Sequence, residues 1–119
     1  MIKFKSLNRN KDFIKILKKK KLSTKYFTIY FNKDLTNYNK YLNISFVMRK
    51  NIGNAVVRNR IKRKLKHAVQ IISKESKLID LNYTYVIFGR NNVYKDKFAN
   101  VLSEVNNSFK KIKQMGSRI

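Results

Sequence analysis

Apolar residues recur at helical spacing near the start of the chain. Between Asn8 and Lys21, Phe13, Ile14, Ile16 and Leu17 supply an apolar side, with Phe13 and Leu17 one turn apart. The pattern predicts a short helix, with Asn8 or Asn10 placed to cap it and Lys18 to Lys21 as a solvated end that complements the helix dipole. The period then changes to two. From Tyr26 to Phe31, Phe27, Ile29 and Phe31 point one way, and Tyr26, Thr28 and Tyr30 the other, which predicts a strand. After a polar connection over 32–40, Tyr41 to Met48 repeats the design, with Leu42, Ile44, Phe46 and Met48 opposite Tyr41, Asn43 and Ser45. Each strand offers an aliphatic face to a core and a second face of tyrosines and small polar groups.

The second half of the chain is mostly helical. Gly53 interrupts the backbone, Asn54 is a cap, and Ala55 to about Ser73 forms the main helix. At about 100° per residue, Val57, Ile61, Leu65, Ala68 and Ile72 gather into one stripe. Tyr83 to Phe88 is apolar throughout, as suits a central strand. Lys95 to about Lys113 is the last helix, its Phe98, Val101, Leu102, Val105, Phe109 and Ile112 spaced to pack on the sheet, and Gln114 to Ile119 is a frayed tail. The order helix, two strands, helix, strand, helix makes an α+β fold, one mixed sheet packed by helices. Neither a repeat nor a linker divides the 119 residues, so 1–119 reads as a single domain.

Charge narrows the function. The chain carries 29 Lys and Arg against six Asp and Glu, a formal +23. Such self-repulsion weakens a compact state unless a polyanion neutralises it, and nucleic acid is the usual polyanion. No apolar run approaches the roughly 20 residues of a membrane span, and no signal-peptide core opens the chain, so no membrane role is expected. The absence of cysteine excludes disulfides and thiolate metal sites and agrees with a cytoplasmic location.

The charge is also placed. Arg58, Asn59, Lys62, Arg63 and Lys66 spread over the face of the main helix opposite its apolar stripe, and no acid occurs between Arg49 and Lys74. Merely solvated helix faces usually mix signs, so this one reads as a polyanion-binding surface. Guanidinium groups fork onto phosphate oxygens, and the Asn59 amide can bond sugar, phosphate or base.

The segment Gly53-Asn54-Ala55-Val56-Val57-Arg58-Asn59-Arg60-Ile61-Lys62-Arg63 resembles the signature of the bacterial ribonuclease P protein subunit family, G-N-A-V-x-R-N-R-[IV]-K-R. Asp12-Phe13, Phe27-x-x-Tyr30 and Arg90 fall where that family has counterparts. The resemblance implies an α/β fold like ribosomal protein S5 domain 2, with a left-handed β-α-β crossover against the usual right-handed rule. It implies two RNA surfaces. Arg58, Asn59, Arg60, Lys62, Arg63 and Lys66 would contact the catalytic RNA. A cleft with Phe13, Leu17, Tyr30, Arg49, Lys50 and Arg90 would hold the single-stranded 5′ leader of precursor tRNA, with Tyr26 a further candidate platform. Aromatic platforms beside cations are how single-stranded RNA is bound, although ordinary packing also accounts for Phe13. The chain departs from the family pattern at Lys50-Asn51, where two lysines are common, and at Arg49, Leu17, Val69 and Thr84.

A protein active site is not expected. The acids Asp12, Asp34, Glu75, Asp80, Asp96 and Glu104 are scattered, and His67 stands alone on a basic helix. The resemblance assigns the chemistry to the RNA with Mg²⁺, and its partners are ribonuclease P RNA and precursor tRNA, with no obligate protein partner. The rival readings are a non-enzymatic basic module of the ribosomal or RNA-chaperone type and a duplex-DNA binder that uses the basic helix in the major groove.

Overall fold

The computed structural model of the chain describes residues 4–5, 15–17, 19–33, 41–75 and 78–116. Its strands are β1 (Phe4–Lys5), β2 (Lys20–Ser23), β3 (Phe27–Lys33), β4 (Leu42–Val47) and β5 (Tyr83–Gly89). Its helices are α1 (Ala55–Glu75), the single turn α2 (Asn92–Lys95) and α3 (Phe98–Gly116), with a 3₁₀ turn at Lys50–Ile52 and helical residues at 15–17. The five strands form one mixed sheet in the order β1-β4-β5-β3-β2. β4 and β5 are parallel neighbours joined through α1, and β3 pairs antiparallel with β5 on its other side.

Period-two patterning sets which face packs. Phe27, Ile29 and Phe31 of β3 are buried beside Tyr85 and Ile87 of β5 and Leu42 and Ile44 of β4. Ile61, Leu65, Ala68, Val69 and Ile72 of α1, with Val101, Val105, Phe109 and Ile112 of α3, complete the same cluster. The Tyr85 ring meets Phe109 edge-on at 5.0 Å, and its hydroxyl donates to the Asp80 carbonyl at 2.6 Å, so the polar end of this buried ring is satisfied. Burial pushes the Tyr85 hydroxyl pKa well above its ordinary value. Asn54 caps α1 as its position predicts, its Oδ1 accepting from the Val57 N–H at 3.0 Å.

Three local expectations are corrected. Lys20 and Lys21 do not end a helix; they open β2, which pairs with β3 through the register Lys20↔Phe31 to Ser23↔Thr28. An edge strand needs only one partner and one covered face, which Leu22 alone supplies here, so it leaves little periodicity to read. Tyr26 precedes β3 and is 3% exposed, its hydroxyl bonded to Asp96, so it is not an exposed platform. The last helix is broken at Asp96, whose extended backbone (φ −94°, ψ 167°) separates α2 from α3, and α3 continues through Gln114 and Met115 to Gly116 rather than fraying. Residues 117–119 of the predicted tail lie outside the described residues.

Candidate nucleic-acid interface

The register of β3 against β5 puts Thr28 opposite Phe88 and Tyr30 opposite Val86, all on the sheet face away from the main core. There the Tyr30 ring stands edge-on to Phe88 at 5.5 Å, and the Arg49 guanidinium lies over the Phe88 ring at 5.3 Å. Together with Asn51, Ile52, Gly89 and Arg90 these residues line a cleft of about 270 Å³. The Arg90 guanidinium donates to Thr28 Oγ1 at 3.0 Å, and its backbone N–H donates to the Tyr26 carbonyl at 2.9 Å. Asn91 Nδ2 donates to the Ile52 carbonyl at 3.0 Å, tying the loop after β5 to the turn that precedes α1. The rim is thus stitched at both ends, while the aromatic and cationic groups between remain partly open.

Of the residues expected to form a leader cleft, Tyr30, Arg49 and Arg90 are brought together. Lys50 is exposed on the adjoining 3₁₀ turn and is not part of the lining. Leu17 is 38% exposed, next to buried Ile16. Phe13 lies outside the described residues. Phe88 was missed because a strand buried on both faces shows no alternation. The signal that could have found it is its register with Thr28, two residues from Tyr30 on the polar face of β3.

Gly53 leads into α1 with φ +159°, and a Cβ there would sit 3.0 Å from Val57 Cγ1. The backbone at Gly53 is extended (ψ −172°), and the missing side chain lets it run close against Val57 where the motif residues begin the first turns of α1. Asn59, Arg60, Lys62, Arg63 and Lys66 are exposed, and Arg58 is half-buried with its Nε withdrawn from solvent and without an acceptor. Among the described residues, none of these cations makes an ion pair; the pair Lys25–Asp96 at 3.7 Å lies elsewhere. Lys64, next to Arg63, is used differently. Its ammonium donates to the carbonyls of Val93 at 2.7 Å and Asp96 at 2.5 Å. His67 stacks on Phe98 with ring centroids 5.0 Å apart.

Asp96 is the most heavily bonded of the described acids. It accepts from the Tyr26 hydroxyl, from Asn100 Nδ2 at 2.9 Å and from the Lys97 N–H at 2.8 Å. The Tyr26 hydroxyl bond, followed by those of Asn100 and Lys97, holds its carboxyl well below the usual carboxylate range, and the same bond raises the Tyr26 hydroxyl. These are the marks of a structural staple between the β3 entry and the α2–α3 break. Among the described residues no cluster of three or more His, Asp or Glu groups is placed to hold a metal ion, and no helix is long and apolar enough to cross a membrane.

Comparison with known proteins bears on the family and the fold. The family model described as Ribonuclease P matches residues 1–113. The ribonuclease P protein component of Rickettsia felis is 35% identical over 107 residues, covering 84% of this chain and 90% of that protein. The component from Carboxydothermus hydrogenoformans is 30% identical over 106 residues, covering 88% of each. Among solved structures, the ribonuclease P protein of Thermotoga maritima superposes with a TM-score of 0.74 at 22% identity, over 90% of this chain and 96% of that one. The Staphylococcus aureus ribonuclease P protein gives a TM-score of 0.69 at 21% identity, over 91% and 94%. The α+β fold is shared with both, and the chain belongs to the ribonuclease P protein component family.

Proposed function

We propose that the chain binds the catalytic RNA of ribonuclease P through the polar arc of α1 and holds the 5′ leader of precursor tRNA in the cleft between Tyr30, Phe88, Arg49 and Arg90. The RNA then carries out endonucleolytic removal of the leader. The observation that carries this reading is the cleft: two aromatic rings and two guanidinium groups on an open sheet face, next to a cationic helix with no acid before Glu75. Flat rings accept any base by stacking, and cations follow the backbone without reading its sequence. A leader of variable sequence calls for that combination.

The described residues offer no nucleophile–base pair and no carboxylate cluster, so the protein supplies binding and positioning. Asp96 and Asp80 are committed to internal hydrogen bonds. Mg²⁺ belongs in this reading to the RNA subunit, where it would supply charge stabilisation at the scissile phosphate. The protein's cations lower the repulsion between two RNAs and thereby reduce the Mg²⁺ needed for them to associate.

The test is cleavage of precursor tRNA by a bacterial ribonuclease P RNA at low Mg²⁺, with and without the purified protein. Stimulation of cleavage at the mature 5′ end is the expected result, with no cleavage by the protein alone. Equal rates with and without protein would sink the proposal and leave a general basic RNA-binding module. Equal affinity for duplex DNA and leader-bearing RNA would favour a DNA-binding role instead.

A further inference from the structure

The polar arc of α1 has two edges. At about 100° per residue, Arg58, Lys62 and Lys66 follow one edge, and Val56, Arg60, Arg63 and His67 follow the other. The second edge borders α2 and the start of α3. Lys64 reaches the carbonyls of Val93 and Asp96 here, His67 stacks on Phe98, and Val93 is fully buried. These contacts fix the backbone of α2, and the Tyr94 N–H is bonded to the Asn91 carbonyl at 2.9 Å. Tyr94, one residue beyond the buried Val93, is left 41% exposed. It forms one wall of a cleft of about 520 Å³ whose other walls are Arg60, Arg63 and Lys64.

A single exposed aromatic is ordinary on a protein surface. This one is held on an anchored turn and faces two arginines that pair with no described acid. An apolar ligand would gain nothing from the guanidinium groups, and a basic peptide would be repelled. A nucleotide satisfies both features, its base on the ring and its phosphate on the fork of an arginine. We propose that Tyr94, with Arg60 and Arg63, forms a stacking site for one unpaired base of the structured RNA partner. The site is separate from the sheet cleft assigned to the leader. It rests on the reading that α1 faces that RNA, and it adds a base contact to what is otherwise binding by charge.

The protein contains no tryptophan, so a Tyr94→Trp variant carries a single reporter at the site. Binding is measured to ribonuclease P RNA alone, without tRNA, for wild type and for Tyr94→Trp, Tyr94→Phe and Tyr94→Ala. Tryptophan emission should be quenched on binding, and Tyr94→Phe should bind within about twofold of wild type. Tyr94→Ala should weaken binding by roughly five- to 150-fold, the range of one lost base stack. Its salt dependence should keep the wild-type slope, because stacking releases no counterions, whereas Arg60→Ala should flatten the slope. Unchanged affinity in Tyr94→Ala with unquenched emission would overturn the inference. Tyr94→Phe binding as poorly as Tyr94→Ala would also overturn it, since the hydroxyl rather than the ring would then matter. Failure of the wild-type protein to bind the RNA at all would instead sink the proposed function, and this inference with it.

Discussion

Gly89 closes β5 directly under α1, and adding one methyl group there tests how tightly helix and sheet are joined. A Cβ at Gly89 would lie 2.6 Å from Met48 Sδ, 2.9 Å from Met48 Cε and 2.8 Å from Ile61 Cγ2. Met48 can yield, because its thioether is flexible and unbranched. Ile61 cannot: it is fully buried, β-branched and held in one rotamer on the helix. Carbon atoms pack at about 3.5–4.0 Å, so α1 must retreat from β5 by roughly 1 Å. Overpacking of this kind costs about 1–3 kcal/mol, against about 0.4–1 kcal/mol gained when Gly→Ala restricts the unfolded chain. For a domain of this size the overpacking alone corresponds to a melting temperature lower by about 4–12 °C. The assay is a thermal melt of Gly89→Ala, Ile61→Ala and the double variant. Ile61→Ala alone should cost about 2–5 kcal/mol, but in the double variant the new methyl occupies part of the vacated space. The two losses should therefore fall short of additivity by about 1 kcal/mol or more. Losses that add within about 0.5 kcal/mol would refute the clash, as would a Gly89→Ala variant more stable than wild type.

Tyr30→Ala should weaken holoenzyme binding of precursor tRNA by roughly 1–3 kcal/mol while leaving mature tRNA nearly unaffected; equal losses for both RNAs would mean that Tyr30 serves only packing. In salt titrations of binding to ribonuclease P RNA, exposed Arg63→Ala should melt like wild type and lower the slope by about one unit. Half-buried Arg58→Ala should lose stability as well, with Arg58→Lys restoring only part of the binding. A full wild-type slope in Arg63→Ala would make that residue a solvated charge. Because Asp96 titrates below its ordinary range when folded, the native protein binds fewer protons than the unfolded chain just below the ordinary carboxylate pKa of about 4. Its contribution is full above that pH and is lost on acidification toward the lower folded value. Asp96→Asn should therefore melt earlier at neutral pH, by an amount that shrinks in acid. Melting curves that stay a constant interval apart from about pH 6 to about pH 2 would rule this out.

Elements whose pattern is local were legible in the sequence. Alternation at Phe27, Ile29 and Phe31, the stripe Val57-Ile61-Leu65-Ala68-Ile72, the Asn54 cap and the acid-free run after it each depend on residues a few positions apart. Burial of one face selects such spacings directly, and the motif at the start of α1 carried the family with it. What the tertiary structure decided rests on partners distant in the chain. β2 exists because β3 has an edge to pair, which Lys20 to Ser23 does not announce. Tyr26 turns inward because its hydroxyl meets Asp96 seventy positions later. Phe88 joins Tyr30 through a register between two strands, and Lys64 leaves the cationic field to hold Val93 and Asp96. Tyr94 becomes a wall of a basic cleft for the same reason, since the turn that presents it is positioned by α1. Local periodicity reports which face of an element is dry. Which groups meet across that face is set by packing between elements, and the sequence holds that only jointly.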